Sequence, residues 1–177
     1  MGLLLFLEIH HISKEIVPMK KIIALSLAAL LVLSMTSAFA LTGLGSVTTV
    51  TVTAPTAEKA GSVTVYTHVC ALTLDAEGKI VGVDFDAIQS KAATDADLST
   101  ETQSKDELKE AYNMKAASPI GKEYYEQVNA LEAWCIGKTV EEVLNGVAAD
   151  DADLKAGCTI GIADYMTALQ EAAAVAK

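Results

Sequence analysis

A short turn between two β-prone runs constrains this chain more than any other feature. Ser62 to Leu74 is rich in Val, Thr and Leu, and Ile80 to Ile88 returns with Val81, Val83, Phe85 and Ala87 on one face. Asp75-Ala-Glu-Gly-Lys79 joins them, with Gly78 where the turn needs a positive φ. Two such runs so closely joined pair antiparallel, as a long hairpin. Gly45 to Thr53, alternating Val and Thr, reads as a further strand, cut from the hairpin by Ala54-Pro55 through Gly61. Ser90 to Gln103 is small, polar and acidic and reads as a loop.

Helical signals follow the strands. Ser104 with Glu107 fits a capping box. Ser118-Pro119 offers an N-cap and a Pro at the first helical position of the longest helix, whose stripe is Ile120, Tyr124, Val128, Leu131 and Cys135. Gly137 stops it. Thr139 with Glu142 opens a short helix that ends near Gly146, Asp150 to Asp153 reads as an acidic turn, and Cys158 to Ile162 as a short extended segment. Ala163 to Ala176 is a last helix with Tyr165, Met166, Leu169, Ala172, Ala173 and Ala176 on one side. Strands first and helices after predict an α+β fold, a small antiparallel sheet with a long hairpin packed against three to four helices.

The N-terminus bears on where the protein works. Met19-Lys-Lys21 is a basic start, Ile22 to Met35 an apolar core, and Ala38-Phe-Ala40 an A-x-A site, the order of a secretory signal peptide. Met19 then reads as the true start, residues 1–18 as a misplaced one, and cleavage follows Ala40. A retained membrane anchor is the alternative, with an apolar core short of the ~20 residues a spanning helix needs. The predicted organisation is a leader over 1–40, an N-terminal strand and linker over 41–61, and one domain over 62–177. The exported protein would be extracellular or associated with the cell envelope, touching the membrane only through its signal peptide. Removing the leader takes three lysines and two glutamates from 13 basic and 23 acidic residues, so the full-chain charge of −10 becomes −11, with no arginine at all. Nucleic acid is excluded as a natural partner of such a surface, since phosphate neutralisation needs clustered Lys and Arg.

Cys70, Cys135 and Cys158 each lie in an apolar run and read as buried thiols; a Cys70–Cys158 disulfide is the alternative that export permits. No cysteine or histidine spacing suggests a metal site. His68 lies two residues before Cys70 on the same strand face, ~6–7 Å away, too far for a direct nucleophile–base hydrogen bond. It reads as an edge or half-buried histidine. Asp84 and Asp86 share a face opposite Phe85 and read as the solvated side of the sheet. Asp150, Asp151 and Asp153 do not follow a calcium-loop order. Tyr125 and Trp134, on the long helix, are candidates to flank a flat ring, against the simpler reading of core packing.

The most suggestive stretch is Asp153-Leu-Lys-Ala-Gly-Cys-Thr159, just before the last helix. A hydroxyl near a helix N-terminus, with a glycine beside it, suits a phosphate. The simpler reading is a turn entering a strand and a helix. Here the order of parts resembles the small exported FMN-binding domains of bacterial extracytoplasmic electron-transfer systems, over roughly Ser62 to Lys177. The hairpin with Ile80 and Val81 after its turn, the central helices with Ile136-Gly-Lys-Thr139 at their bend, and Asp153 to Thr159 carry the likeness. The last is similar to the family's flavinylation pattern of an Asp, two residues, Ser or Thr, Gly, Ala or Ser, then Thr. The resemblance implies that Thr159 accepts FMN from a separate flavin transferase, that Asp153 and Gly157 are recognition residues, and that the protein passes electrons to a redox partner. Ala156 and Cys158 depart from the pattern, as do Gly161 and Ile162 after it. Three readings follow: an electron carrier with covalent or non-covalent FMN, a secreted binding or structural module that has lost the flavin, and a hydrolase, for which no nucleophile and base are in evidence. No catalytic residue is assigned, and the first two readings describe a protein that is not a catalyst.

Overall fold

The predicted turn forms as its residues require. Gly78 has φ 77°, and the Asp75 carboxylate accepts from the Glu77 and Lys79 amides at 3.1 and 2.7 Å. The computed structural model describes residues 40–94 and 103–177. The signal-peptide reading of Met19 to Ala40, apart from Ala40, lies outside them, as does the part of the expected Ser90–Gln103 loop over 95–102; Ser90 to Ala93 of that expected loop are strand.

Strands β1 (Leu41–Thr53), β2 (Ser62–Leu74) and β3 (Ile80–Ala93) form an antiparallel sheet with β2 in the middle. Helices α1 (Lys105–Leu108), α2 (Tyr124–Cys135), α3 (Val140–Ala148), α4 (Ala152–Gly157) and α5 (Ala163–Val175) follow, with a 3-10 turn at Lys109–Tyr112 after α1. The fold is α+β, three strands and five helices among the described residues. β1 pairs with β2 along its whole length, so the strand set apart as an N-terminal piece belongs to the sheet, and Ala40–Lys177 is one compact unit.

One face of the sheet is buried. His68, Cys70, Leu72 and Leu74 of β2 and Phe85 and Ala87 of β3 meet Tyr124, Val128, Leu131 and Cys135 of α2 and Tyr165, Met166 and Leu169 of α5. Burial of this set is the main stabilising term. Val81 was expected on the core face, yet it is 52% exposed and Ile80 is fully buried. The register explains the exchange: Leu74 faces Ile80 while Thr73 faces Gly82, so Val81 is the extra residue of a bulge.

β1 is held differently. A Cβ added to Gly43 would lie 1.9 Å from the Ala172 carbonyl oxygen, and one on Gly45 2.0 Å from that of Ala168. Two side-chain-free positions on one strand face therefore let the backbone of α5 rest on the strand, and Ala168 and Ala172, one turn apart, present the matching small surface. The strand begins at Leu41, four residues before the predicted Gly45, because this glycine pair is paired into the sheet.

Each sheet edge is covered in part. On β3 the Phe85 amide donates to Glu132 at 2.8 Å, and Ile80 exchanges hydrogen bonds with Gly137 and Lys138. On β1, Thr42 pairs with Lys177 and the Ser46 amide donates to Glu171 at 3.3 Å.

Three helix predictions change. α2 starts at Tyr124 rather than near Pro119, because Gly121 takes a left-handed φ of 63° and Glu123 supplies the cap. That buried carboxylate also accepts from the Met114 and Lys115 amides at 2.8 and 3.2 Å, which fixes the chain before the helix. The Ser104–Glu107 box forms but leads only four helical residues. The acidic turn becomes the cap of α4: Asp151 accepts from the Asp153 and Leu154 amides, both at 3.0 Å. Cys158 to Ile162 is irregular chain rather than a strand. All three thiols are free and buried, as the simpler reading held, and the Cys70–Cys158 disulfide is not formed. No described helix is long and apolar enough to cross a membrane.

Candidate functional site

The capped start of α4 sets the geometry around Thr159. Asp150 adopts a left-handed φ of 63°, which a short polar side chain tolerates, and this turns the chain from α3 into α4. Its carboxylate pairs with Lys155 on the surface. Hydrogen bonds from the Leu154 and Asp153 amides and the Trp134 indole hold the Asp151 carboxyl below its ordinary value. After α4, Cys158 turns inward, buried, its thiol pushed up by desolvation, and Thr159 turns outward and is exposed.

Gln127 ties this outward turn to the core. It is fully buried on α2, and its amide oxygen accepts from both the Thr159 amide at 2.8 Å and the Thr159 hydroxyl at 3.1 Å. Its Nε2 donates to Ser118 Oγ and the Lys122 carbonyl at 3.1 and 3.3 Å. Every polar atom of a buried amide is thereby satisfied, as burial demands. Beside Thr159 opens a pocket of about 350 Å³. Val147, Leu154, Cys158, Ile160 and Ile162 make its apolar wall, and Asp150, Asp151, Lys155 and Thr159 its polar rim. α5 starts at Ala163, with Ile162 as an N-cap that makes no side-chain hydrogen bond.

The three sequence-derived site residues therefore separate. Thr159 lies on the pocket. Asp153 is exposed on α4 and does not line it. Gly157 faces α2: a Cβ there would lie 2.9 Å from that of Ala130, so its missing side chain permits helix-to-helix contact. Thr159 itself precedes the last helix by four residues rather than opening it.

Other candidates find structural roles. His68, expected at an edge or half-buried, is 3% exposed on the central strand, because both neighbouring strands and α5 cover it. Cys70, on the same face, has its thiol pushed up to about 12 by burial, the opposite of an activated nucleophile. Asp84 is exposed, while Asp86 accepts the Asp106 amide at 3.1 Å and ties α1 to β3. Tyr125 hydrogen-bonds Glu110, whereas Trp134 stands over Gly146, so the two rings face different neighbours and do not flank one cleft. Among the described residues no group of three or more His, Cys, Asp or Glu side chains is placed to hold a metal ion.

A polar cluster that sequence reasoning missed lies in the core. Lys105, 6% exposed, donates to the Tyr66 hydroxyl at 2.6 Å, and its ammonium sits 4.4, 4.8 and 5.4 Å from the ring centres of Tyr66, Tyr112 and Tyr124. This arrangement solvates a buried cation with ring faces. The Tyr124 and Tyr165 hydroxyls meet at 2.5 Å, and burial raises the pKa of both. His68 packs between Tyr66 and Tyr165; desolvation lowers its pKa, against the nearby Asp164 carboxylate at 3.5 Å. The sequence placed Tyr124 and Tyr165 on the core stripes of their helices, and the buried Lys105 and its partner Tyr66 were not foreseen.

Comparison of the chain with family models, curated proteins and solved structures yields no match. The resemblance to exported FMN-binding domains rests on the residues alone.

Proposed function

We propose that the protein is an exported flavin carrier in which FMN is joined through its phosphate to Thr159, with the ring system seated against the neighbouring apolar pocket. The observation that carries this reading is an exposed threonine on the rim of an apolar cavity. At about 350 Å³ the pocket lies at the small end of ligand sites, suited to one planar ring system. Ile162, the N-cap of α5, lines the same pocket, so the positive end of that helix borders the proposed ligand space.

The charges favour attachment over reversible binding. The pocket's one cation, Lys155, is paired with Asp150, and Asp151 adds a second negative group. A free phosphomonoester would be held poorly there. A phosphodiester on Thr159 carries less charge and needs no cationic cradle. Asp153, exposed and off the pocket, is then available to a flavin transferase rather than to the ligand. When bound, the flavin supplies the redox step, and the chain supplies position and electrostatics toward a redox partner.

A second reading, a secreted binding or structural module without flavin, is favoured by one observation. Thr159 bonds Gln127 and Gly157 packs on Ala130, so two of the three motif residues already serve the fold. Producing the full chain with and without a flavin transferase, then recording the visible spectrum, separates the two. The carrier reading expects a yellow protein that becomes colourless as Thr159→Ala. A colourless wild-type protein that also fails to take up added FMN supports the module.

A further inference from the structure

The face of the sheet turned away from the helices carries apolar side chains among threonines and has no cover among the described residues. Alternate residues share a face, and the register places Leu44, Val50 and Val52 of β1, Val65 of β2 and Ile88 of β3 on this one. Leu44, Val50 and Val52 are 61–69% exposed, Val65 and Ile88 38%. Val50, Val52, Val65 and Ile88 cluster at one end, and Leu44 stands apart beyond Ser46 and Thr48; isolated exposed apolar residues need no explanation, but such a cluster marks an interaction surface.

Three observations identify the occupant. The first is charge. β1 and β2 contain no Asp, Glu, Lys or Arg, in a chain of net charge −10. Two acidic copies meet few charges across this surface, and a basic partner finds little to pair with, since of the outward carboxylates of β3 Asp86 is already engaged by α1 and Asp84 alone is exposed. The second is size. Three strands of about 13 residues, at ~3.4 Å per residue and ~4.8 Å between strands, make a face of roughly 600 Å². Two copies face to face would bury roughly 1,200 Å², enough for a specific interface. The third is shape. A shallow hollow of about 520 Å³, floored by Ala71, Thr73 and Gly82 and bordered by the exposed Asp84, opens beside the projecting Leu44. A surface holding both a knob and a hollow is self-complementary under two-fold rotation.

We propose that the outer sheet face is a homodimer interface, two copies stacked sheet on sheet with Leu44 of each seated in the other's hollow. The arrangement is that of a β-sandwich, whose sheets pack ~10 Å apart. The helices and the Thr159 pocket stay on the outside of both copies, so the inference is independent of the flavin reading.

Sedimentation velocity on the full chain, purified as its host processes it, tests the proposal. The wild type should run as a dimer. Val65→Lys and Val50→Lys should each give a monomer with unchanged circular dichroism, and Leu44→Ala should raise the dissociation constant at least tenfold. The Val50 position, 61% exposed, keeps the test open should Val65→Lys fail to fold. Ala174→Lys, on the exposed side of α5, should leave the dimer intact. A wild type that is monomeric at all concentrations overturns the proposal, as does a monomer that co-sediments with phosphatidylcholine vesicles. So does a dimer that survives both lysines and protects the Val50 and Val52 amides from hydrogen exchange, which would be pairing along the β1 edge.

Discussion

Two groups of polar side chains in this molecule look alike on paper and differ in access. Around Thr159, a hydroxyl, a lysine and two aspartates ring an open apolar pocket. Around Lys105, an ammonium, tyrosines and a histidine pack against one another in the core. The second group has the richer chemistry, but its ammonium is enclosed by its own tyrosine rings. The first has one ordinary hydroxyl and a space in front of it. Chemical type nominates residues, and access decides among them.

The contrast predicts that the interior group governs stability and leaves Thr159 chemistry alone. Tyr165→Ala removes a ring packed against Phe85 and His68 and should cost about 3–5 kcal/mol in urea unfolding. Tyr124→Phe is milder. It leaves the Tyr165 hydroxyl buried without its partner and should cost about 1–3 kcal/mol. Equal stability of Tyr124→Phe and wild type would show that water reaches this cluster, and the contrast would weaken.

Glu132 stands between the two regimes, half-buried at the β3 edge. Desolvation raises its carboxyl from 4.5 to about 7, against the hydrogen bond from the Phe85 amide, with Asp84, Asp106 and Asp86 adding to the rise. A group whose pKa is raised on folding favours the native state while protonated. Its contribution is complete below about pH 4.5 and is lost as pH climbs through about 7. Glu132→Gln, which keeps the acceptor and removes the charge, should match wild type in thermal midpoint at pH 4 and exceed it at pH 8. A gap that does not change with pH would place Glu132 in full solvent.

Thr159→Ala should be the smallest perturbation of the fold, under about 1 kcal/mol, because the residue 159 amide still donates to Gln127. A chemical denaturation curve checks it. A larger loss would move Thr159 into the structural class with Tyr124.

Much of the fold was legible because its signals are local. The turn at Gly78, the capping boxes at Ser104 and Thr139 and the α2 stripe from Tyr124 to Cys135 depend on neighbours a few residues away. The bulge at Val81 was hidden, since register is set across strands. The α2 start was hidden too: Glu123 caps it while also binding Met114 and Lys115, a tertiary use of a residue that looks like surface. Gly43 and Gly45 look like weak strand residues until Ala168 and Ala172 are placed against them. At the candidate site, Thr159 was legible by motif. The structural use of Gly157 and the anchoring by Gln127 were not, because each depends on a helix packed from elsewhere in the sequence. Lys105 was illegible for a simpler reason: lysine is almost never buried.

Attachment at Thr159 can be tested by peptide mass after production of the full chain with a flavin transferase. The chain has no arginine, so trypsin cutting after Lys155 releases Ala156–Lys177, which holds Thr159 and Thr167. The account predicts a gain equal to one FMN less water on this peptide, with fragmentation placing it on Thr159. An unmodified peptide, or a gain on Thr167, would contradict it.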